Sequence, residues 1–290
     1  MAETTSGATT TTTAQESDLA VVLAQALPFA SALALEVGAL LREYQAGEFA
    51  IEFKGAVDLV TDADKASEKL IAGRIRETFP AHRLIGEEGA VAAPAADDSP
   101  FGWVVDPLDG TTNFAHRYPH FAVSICLEHK SEPVVGVVYD PMRDELFEAV
   151  AGGGATLNGV PVQVGTTGSL VQSLLATGFS YDVTAREEST ALWVAFNNGA
   201  QGLRRDGAAA LDMCWVAAGR LDGYFERPVN SYDVGAGVVI VREAGGVVTS
   251  LERDTYDLYG NEVLATNLNL LAPMRELIAT TLATTRAANG

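Results

Sequence analysis

The chain has 290 residues, with 19 Lys plus Arg against 38 Asp plus Glu, a formal net charge of -19 and an isoelectric point near 4.5. At 48% hydrophobic and 20% charged it has the makeup of a globular protein long enough for a sizeable core, neither disordered nor fibrous. So acidic a surface argues against a nucleic-acid backbone or an anionic membrane as main partner, since both need clustered Lys and Arg.

The first seventeen residues are a Thr/Ala tract, Thr9 to Thr13 being consecutive, and are expected to be disordered. Residues 19–41 are apolar enough to be weighed as a membrane span or signal sequence. No Lys or Arg precedes Arg42, so the basic start of a secretory signal is missing. Gln25, Pro28, Ser31 and Glu36 interrupt the run, and Glu36 would be costly in lipid. A core-packed helix of a soluble, cytoplasmic protein is the expectation. From Asp62 to Ile75 apolar residues recur at helical spacing, with Thr61 as N-cap and acids in the first turn. Local sequence alone therefore reads Asp62 and Asp64 as helix-end electrostatics.

Arg83-Leu84-Ile85 is a short strand running into Gly86-Glu87-Glu88-Gly89, and residues 90–100 read as an exposed loop. A buried strand at Trp103-Val104-Val105 ends in Asp106-Pro107-Leu108-Asp109-Gly110-Thr111-Thr112-Asn113-Phe114. Two antiparallel strands are expected over 121–128 and 134–139. Gly152-Gly153-Gly154 lacks a following Lys-Ser/Thr or a G-x-G-x-x-G frame and reads as a loop before the Asn158-Gly159 hairpin turn. Helices are expected over 185–197 and 207–218, the second closed by Gly219, then a strand at 223–226. A last helix opens at Tyr232-Asp233 and stops at Gly245-Gly246. Cys126 and Cys214 lie in apolar runs and read as buried free thiols of a reducing compartment. His116 and His120 are separated by Pro119 with no third ligand in reach, and read as polar surface residues.

The informative constellation is carboxylate. Asp106 stands at the end of a buried strand, where side chains are well fixed. Pro107 lacks an N–H and holds the chain extended, so Asp106 and Asp109 can converge on one side of the turn. Gly110 permits a tight path, leaving the N–H groups of Gly110, Thr111 and Thr112 free to meet a phosphate oxygen. Oxygen ligands from Asp106, Asp109 and Glu87-Glu88 suit Mg²⁺ rather than zinc. Two such ions about 3.5–4 Å apart can activate a water and stabilise a leaving oxygen.

Four strings in order, Asp58-Leu-Val-Thr-Asp-Ala-Asp64, Gly86-Glu-Glu88, Asp106 to Phe114, and Asp233 ahead of Gly235-Ala-Gly237, make the chain resemble the inositol monophosphatase family. That family falls within the Mg²⁺-dependent, lithium-sensitive phosphatases that include the fructose-1,6-bisphosphatases. The resemblance covers nearly everything after the Thr-rich tail. It implies a layered α/β fold, an αβαβα sandwich, in one phosphatase domain over 18–290 with sub-lobes of roughly 18–165 and 166–290. It implies that Glu87, Asp106 and the Leu108 carbonyl hold a first metal, with Asp106 bridging to a second held by Asp109 and Asp233. Two or three Mg²⁺ per site are implied. Glu87 and Thr111 would orient the attacking water, and Asp64 would support the metals. The N–H groups of Gly110 and Thr111 would hold the phosphate. Ala209 and Glu226 would meet the substrate ring, with Glu88 and Lys54 supporting. Where the family usually has Trp-Asp, this chain has Tyr232-Asp233, which keeps the ligand and changes its neighbour.

The activity implied is hydrolysis of a small polyol phosphate, inositol 1-phosphate first, in a homodimer that neither enters a membrane nor binds nucleic acid directly. Histidinol-phosphate phosphatase, fructose-1,6-bisphosphatase and 3′-phosphonucleotide phosphatase are alternatives on the same metal site. An accessory role with the transcription machinery is an alternative of another class. Arg204 and Arg205 could meet a second anionic group, but read first as surface residues.

Overall fold

The computed structural model describes residues 8–53, 59–87, 99–179 and 186–289, with side chains over the same stretches except 8–18 and 289. The first helix, α1 (Ala8–Ala46), starts inside the Thr/Ala tract rather than after it. By length and composition its Leu19–Ala46 part could cross a membrane, yet one face is docked on protein. Ala26, Ala30, Leu33, Ala34, Val37 and Leu41 are buried, at the three- and four-residue spacing of an amphipathic helix. The polar residues that break its apolar run also have protein partners. Glu36 pairs with Arg74 at 2.7 Å, Ser31 Oγ donates to Glu148, and Arg42 Nη1 donates to the Tyr139 hydroxyl at 2.7 Å.

A small hairpin of β1 (Ile51–Phe53) and β2 (Leu59–Thr61) leads into α2 (Asp62–Thr78). A seven-stranded sheet follows in sequence order: β3 (Arg83–Gly86), β4 (Phe101–Asp109), β5 (Ala122–His129), β6 (Glu132–Asp140), β7 (Glu145–Val150), β8 (Gly154–Leu157) and β9 (Val160–Pro161). Only β3 and β4 are parallel in it. The short helix α3 (Thr111–Ala115) joins β4 to β5.

The second sheet has β10 (Leu174–Thr177), β11 (Gly202–Arg204), β12 (Gly223–Glu226), β13 (Val247–Thr249) and β14 (Val263–Thr266), in the order β11-β10-β12-β14-β13. Helices α4 (Arg186–Gly199), α5 (Ala209–Ala217), α6 (Ser231–Glu243) and α7 (Leu268–Asn289) complete the chain.

Three apolar cores define the layers. α1 and α2 pack on one face of the large sheet against Trp103, Val105, Ile125 and Leu127. The other face offers Val104 and Cys126 to α5 and α6, which fill the space up to Tyr224 and Ala265 of the second sheet. On that sheet's far side Leu175, Phe225 and Leu264 meet Phe196 of α4 and Met274 and Ile278 of α7. The result is the αβαβα sandwich. Because β4 and β5 bury side chains on both faces, they read as continuous apolar runs rather than as alternating ones.

The middle layer is tight. A Cβ at Gly136 of β6 would collide with the Ala236 carbonyl of α6, so glycine is needed there for α6 to lie on the sheet. Both cysteines are buried and unpaired, and burial holds the Cys126 thiol well above its ordinary pKa.

Candidate active site

The pairing of β4 with β5 sets the geometry. Asp106 lies opposite Ser124 and Asp109 opposite Ala122, so three steps along β4 match two along β5. Residues three apart on a regular strand face opposite sides; the extra residue of a bulge reverses that parity. Asp106 and Asp109 therefore turn toward the same, middle layer of the sandwich. Gly110 then takes φ +92°, and a Cβ there would lie 3.1 Å from the His120 carbonyl and 3.2 Å from that of Gly207.

Each carboxylate is fixed by backbone donors. Asp106 Oδ1 accepts from Leu108 N at 2.9 Å. Asp109 Oδ2 accepts from Ala210 N, in the first turn of α5, at 2.7 Å. Asp233, in the first turn of α6, accepts from Asn230 N at 2.8 Å in a capping box. Burial, then the charges of Glu87, Asp109 and Asp233, push the Asp106 carboxyl well above the ordinary range. Asp109 is raised by burial and by Asp233. Asp233 is raised to about 6 by burial, with the Asn230 hydrogen bonds opposing.

Among the described residues no Lys or Arg forms an ion pair with Asp106, Asp109 or Asp233. Oxygen-only donors that are buried, mutually repelling and held by backbone hydrogen bonds fit a hard divalent cation. Glu87 follows directly on β3 and acts on Asp106 from there.

Across from this cluster Thr111 Oγ1 lies 2.9 Å from Asp64 Oδ1 and 3.1 Å from the Leu108 carbonyl. The other oxygen of Asp64 accepts from Thr61 N at 2.7 Å and Thr61 Oγ1 at 2.5 Å. Asp64 thus does both things that its sequence allows. One oxygen closes the capping box of α2, and the other is an acceptor for the Thr111 hydroxyl beside the Leu108 carbonyl. Leu108 is buried, its carbonyl within reach of the same hydroxyl.

A pocket opens beside the carboxylates, lined among others by Asp109, Arg205, Ala209, Asp212, Glu226 and Asp233. Glu226 ends β12, accepts from the Tyr224 hydroxyl, and is raised to about 7 by burial. Arg205, read first as a surface residue with a second anionic group as the alternative, is exposed and lines this pocket, and its charge opposes the rise of Glu226. Arg204 is the outer of the two and turns back on its own strand, donating to the Leu203 carbonyl at 3.3 Å. Lys54 and Glu88, expected to support the site, and Asp58, which opens the first family string, lie outside the described residues.

His120 is the other departure. It is 2% exposed rather than a surface residue, because Trp215 covers it edge-on with ring centroids 5.1 Å apart. It offers a ligand atom within 4.8 Å of others from Asp206 and Asp212. No spacing rule links these three positions. The one signal in the sequence is an acid, Asp212, at the start of a helix otherwise as apolar as α5.

Comparison with known proteins matches residues 22–287 to the inositol monophosphatase family. An inositol-1-monophosphatase of Synechocystis sp. is 47% identical over 233 residues, 80% of each chain. The Nus factor SuhB of Escherichia coli is 46% identical over 215 residues, 72% of this chain and 79% of its own. The solved inositol monophosphatase of Anabaena superposes with a TM-score of 0.80 at 40% identity, covering 89% of this chain and 96% of that one. The chain belongs to the inositol monophosphatase family, metal-dependent hydrolases of phosphoric monoesters.

Proposed function

We propose that the chain hydrolyses a small polyol phosphate, inositol 1-phosphate first, with Mg²⁺ as the cation. The observation that carries this reading is the convergence of Asp106, Asp109 and Asp233 next to the Thr111–Asp64 couple, at the mouth of a pocket ending in Glu226. Glu87, Asp106, the Leu108 carbonyl, Asp109 and Asp233 would hold two or three ions, whose positive charge offsets the phosphate and whose Lewis acidity activates a water. The chain's own residues do the rest. Thr111 gives its single hydroxyl proton to Asp64, so its lone pairs are free to accept from a water, which Glu87 helps to aim. The N–H groups of Gly110 and Thr111 receive phosphate oxygens. Glu226 accepts hydroxyls of the ring, with Ala209 beside it, and Lys54 and Glu88 support the site from the 54–58 and 88–98 segments.

Lithium inhibition, a homodimer and a cytoplasmic location belong to the same reading. The docked face of α1 supports a soluble protein over a membrane-anchored one. The test is phosphate release from a panel of polyol, sugar, amino-alcohol and nucleotide phosphates, with Mg²⁺ and with chelator. Activity that needs Mg²⁺ and disappears in Asp106→Asn and Asp233→Asn is expected. Full activity in chelator would refute the metal mechanism.

Two observations keep rivals in the panel. Arg205 in the pocket suits a substrate with a second anionic group, as in fructose 1,6-bisphosphate or a 3′-phosphonucleotide; histidinol phosphate completes the set. The name Nus factor carried by 46%-identical SuhB favours an additional, non-catalytic role with the transcription machinery. Retention of such binding by Asp106→Asn would separate that role from catalysis.

A further inference from the structure

Beside the pocket, three side chains from separate segments meet. His120 lies between α3 and β5, Asp206 between β11 and α5, and Asp212 in the first turn of α5. Each offers a ligand atom, and these atoms lie within 4.8 Å of one another. We propose that His120, Asp206 and Asp212 bind a borderline divalent cation of the zinc class, next to and separate from the Asp106–Asp109–Asp233 cluster.

An independent observation points to a ligand. His120 and Asp212 are 2% and 1% exposed, yet His120 Nε2 and Asp212 Oδ1 have no hydrogen-bond partner among the described residues. A buried polar group without a partner is costly, so these two atoms call for an occupant. The backbone that carries two of the side chains is also fixed. Asn113 Nδ2 donates to the carbonyls of both His120 and Asp206, at 2.8 Å each. One amide thus fixes two of the three ligand-bearing segments.

The donor set selects the ion. One imidazole nitrogen and two carboxylate oxygens suit zinc or its first-row neighbours, whereas Mg²⁺ prefers oxygen throughout. Ligand bonds of about 2.0–2.2 Å put donors about 3.4 Å apart on a tetrahedral ion, so side-chain rotations that draw these atoms in by about an ångström close the site. Burial lowers His120 to about 4, keeping the imidazole in its neutral, metal-binding form. Three protein ligands leave a position open, and Asp212 lines the substrate pocket, so the ion has a way in and would narrow the space beside Glu226.

The experiment is equilibrium dialysis of the full chain with Zn²⁺ in excess Mg²⁺, on wild type, Asp106→Asn, His120→Gln and Asp206→Asn, with thermal unfolding of each. Wild type and Asp106→Asn are expected to hold one Zn²⁺ per chain that Mg²⁺ does not displace. His120→Gln and Asp206→Asn should bind it at least tenfold more weakly while keeping the metal-free unfolding midpoint. X-ray absorption on zinc-loaded wild type, which requires no variant to fold, should show imidazole scattering. The proposal fails if Zn²⁺ is displaced by Mg²⁺, is lost in Asp106→Asn, is unaffected by His120→Gln and Asp206→Asn, or shows no imidazole. Binding that fails in Asp106→Asn would leave the catalytic reading standing and place the zinc in that cluster instead.

Discussion

Thr111 Oγ1 stands 2.9 Å from Asp64 Oδ1, across the boundary between α3 and α2, and both residues are buried. A hydroxyl has one proton to give, and a carboxylate can only accept it when ionised. With the Leu108 carbonyl also 3.1 Å away, the Thr111 proton is taken by acceptors of the protein itself, which leaves the hydroxyl's lone pairs to accept from whatever enters the site.

Thr111→Val, which keeps the shape and removes the hydroxyl, is expected to lower kcat by about 10²–10⁴-fold with KM changed little, the range for a positioned proton-handling group. Asp64→Ala should lose comparable activity, and the double variant little more, since the two act as a unit. Steady-state kinetics on the three variants checks this; additive losses would show two independent roles.

The carboxylate cluster makes stability depend on pH and on metal together. Asp106, Asp109 and Asp233 have folded-state pKa values above the unfolded value, Asp233 at about 6. A group of this kind stabilises the fold below its unfolded pKa of about 4 and loses that contribution as pH rises through the folded value. The stability gap between Mg²⁺ and chelator should therefore widen from about pH 4 to above pH 6. Thermal unfolding at several pH values, with and without Mg²⁺, reads the gap directly; a constant gap would contradict it.

Glu226 receives the Tyr224 hydroxyl on one oxygen, and Gly178 lies against its carboxylate so closely that a Cβ there would collide with it. Glu226→Gln should raise KM for polyol phosphates about 10–100-fold, the worth of a hydrogen bond to a charged group, with a smaller effect on kcat. Gly178→Ala, which displaces the carboxylate without altering its charge, should shift the ranking of substrates in the same panel. Unchanged rankings in both would remove Glu226 from substrate recognition.

Gly136→Val tests the packing of the middle layer. The added side chain meets the Ala236 backbone, which cannot rotate away, so a loss of about 3 kcal/mol is expected from overpacking. Chemical denaturation measures it, and Mg²⁺ affinity should fall in parallel because α6 carries Asp233. A stable variant with weakened Mg²⁺ binding would show that α6 had shifted rather than that the core had failed.

Much of the site was legible because its parts are local. The strand end, Pro107, Gly110 and the acids at helix starts each carry their own backbone chemistry in a few consecutive residues. The same locality explains what was missed. His120 read as a surface residue because its neighbours, Tyr118 and Pro119, signal a turn, and only the arrival of Trp215 from α5 buries it. Arg205 sits in an exposed stretch after β11, and nothing short of the assembled second sheet says that it borders a pocket. The αβαβα layering came from resemblance. Alternating elements alone do not tell which two sheets share the α5–α6 layer.

The bulge in β4 has an architectural consequence. It aims its acids out of the first sheet into the layer shared with the second, where α5 supplies a donor to Asp109, α6 supplies Asp233, and β12 supplies Glu226. No half of the molecule contains a complete set. A fragment ending at 165 would keep Asp106 and Asp109 but carry them as bare, mutually repelling charges. On the reading proposed above, cation affinity would be a property of the finished sandwich, and a divalent ion would stabilise only chains in which both sheets have closed on the helices between them.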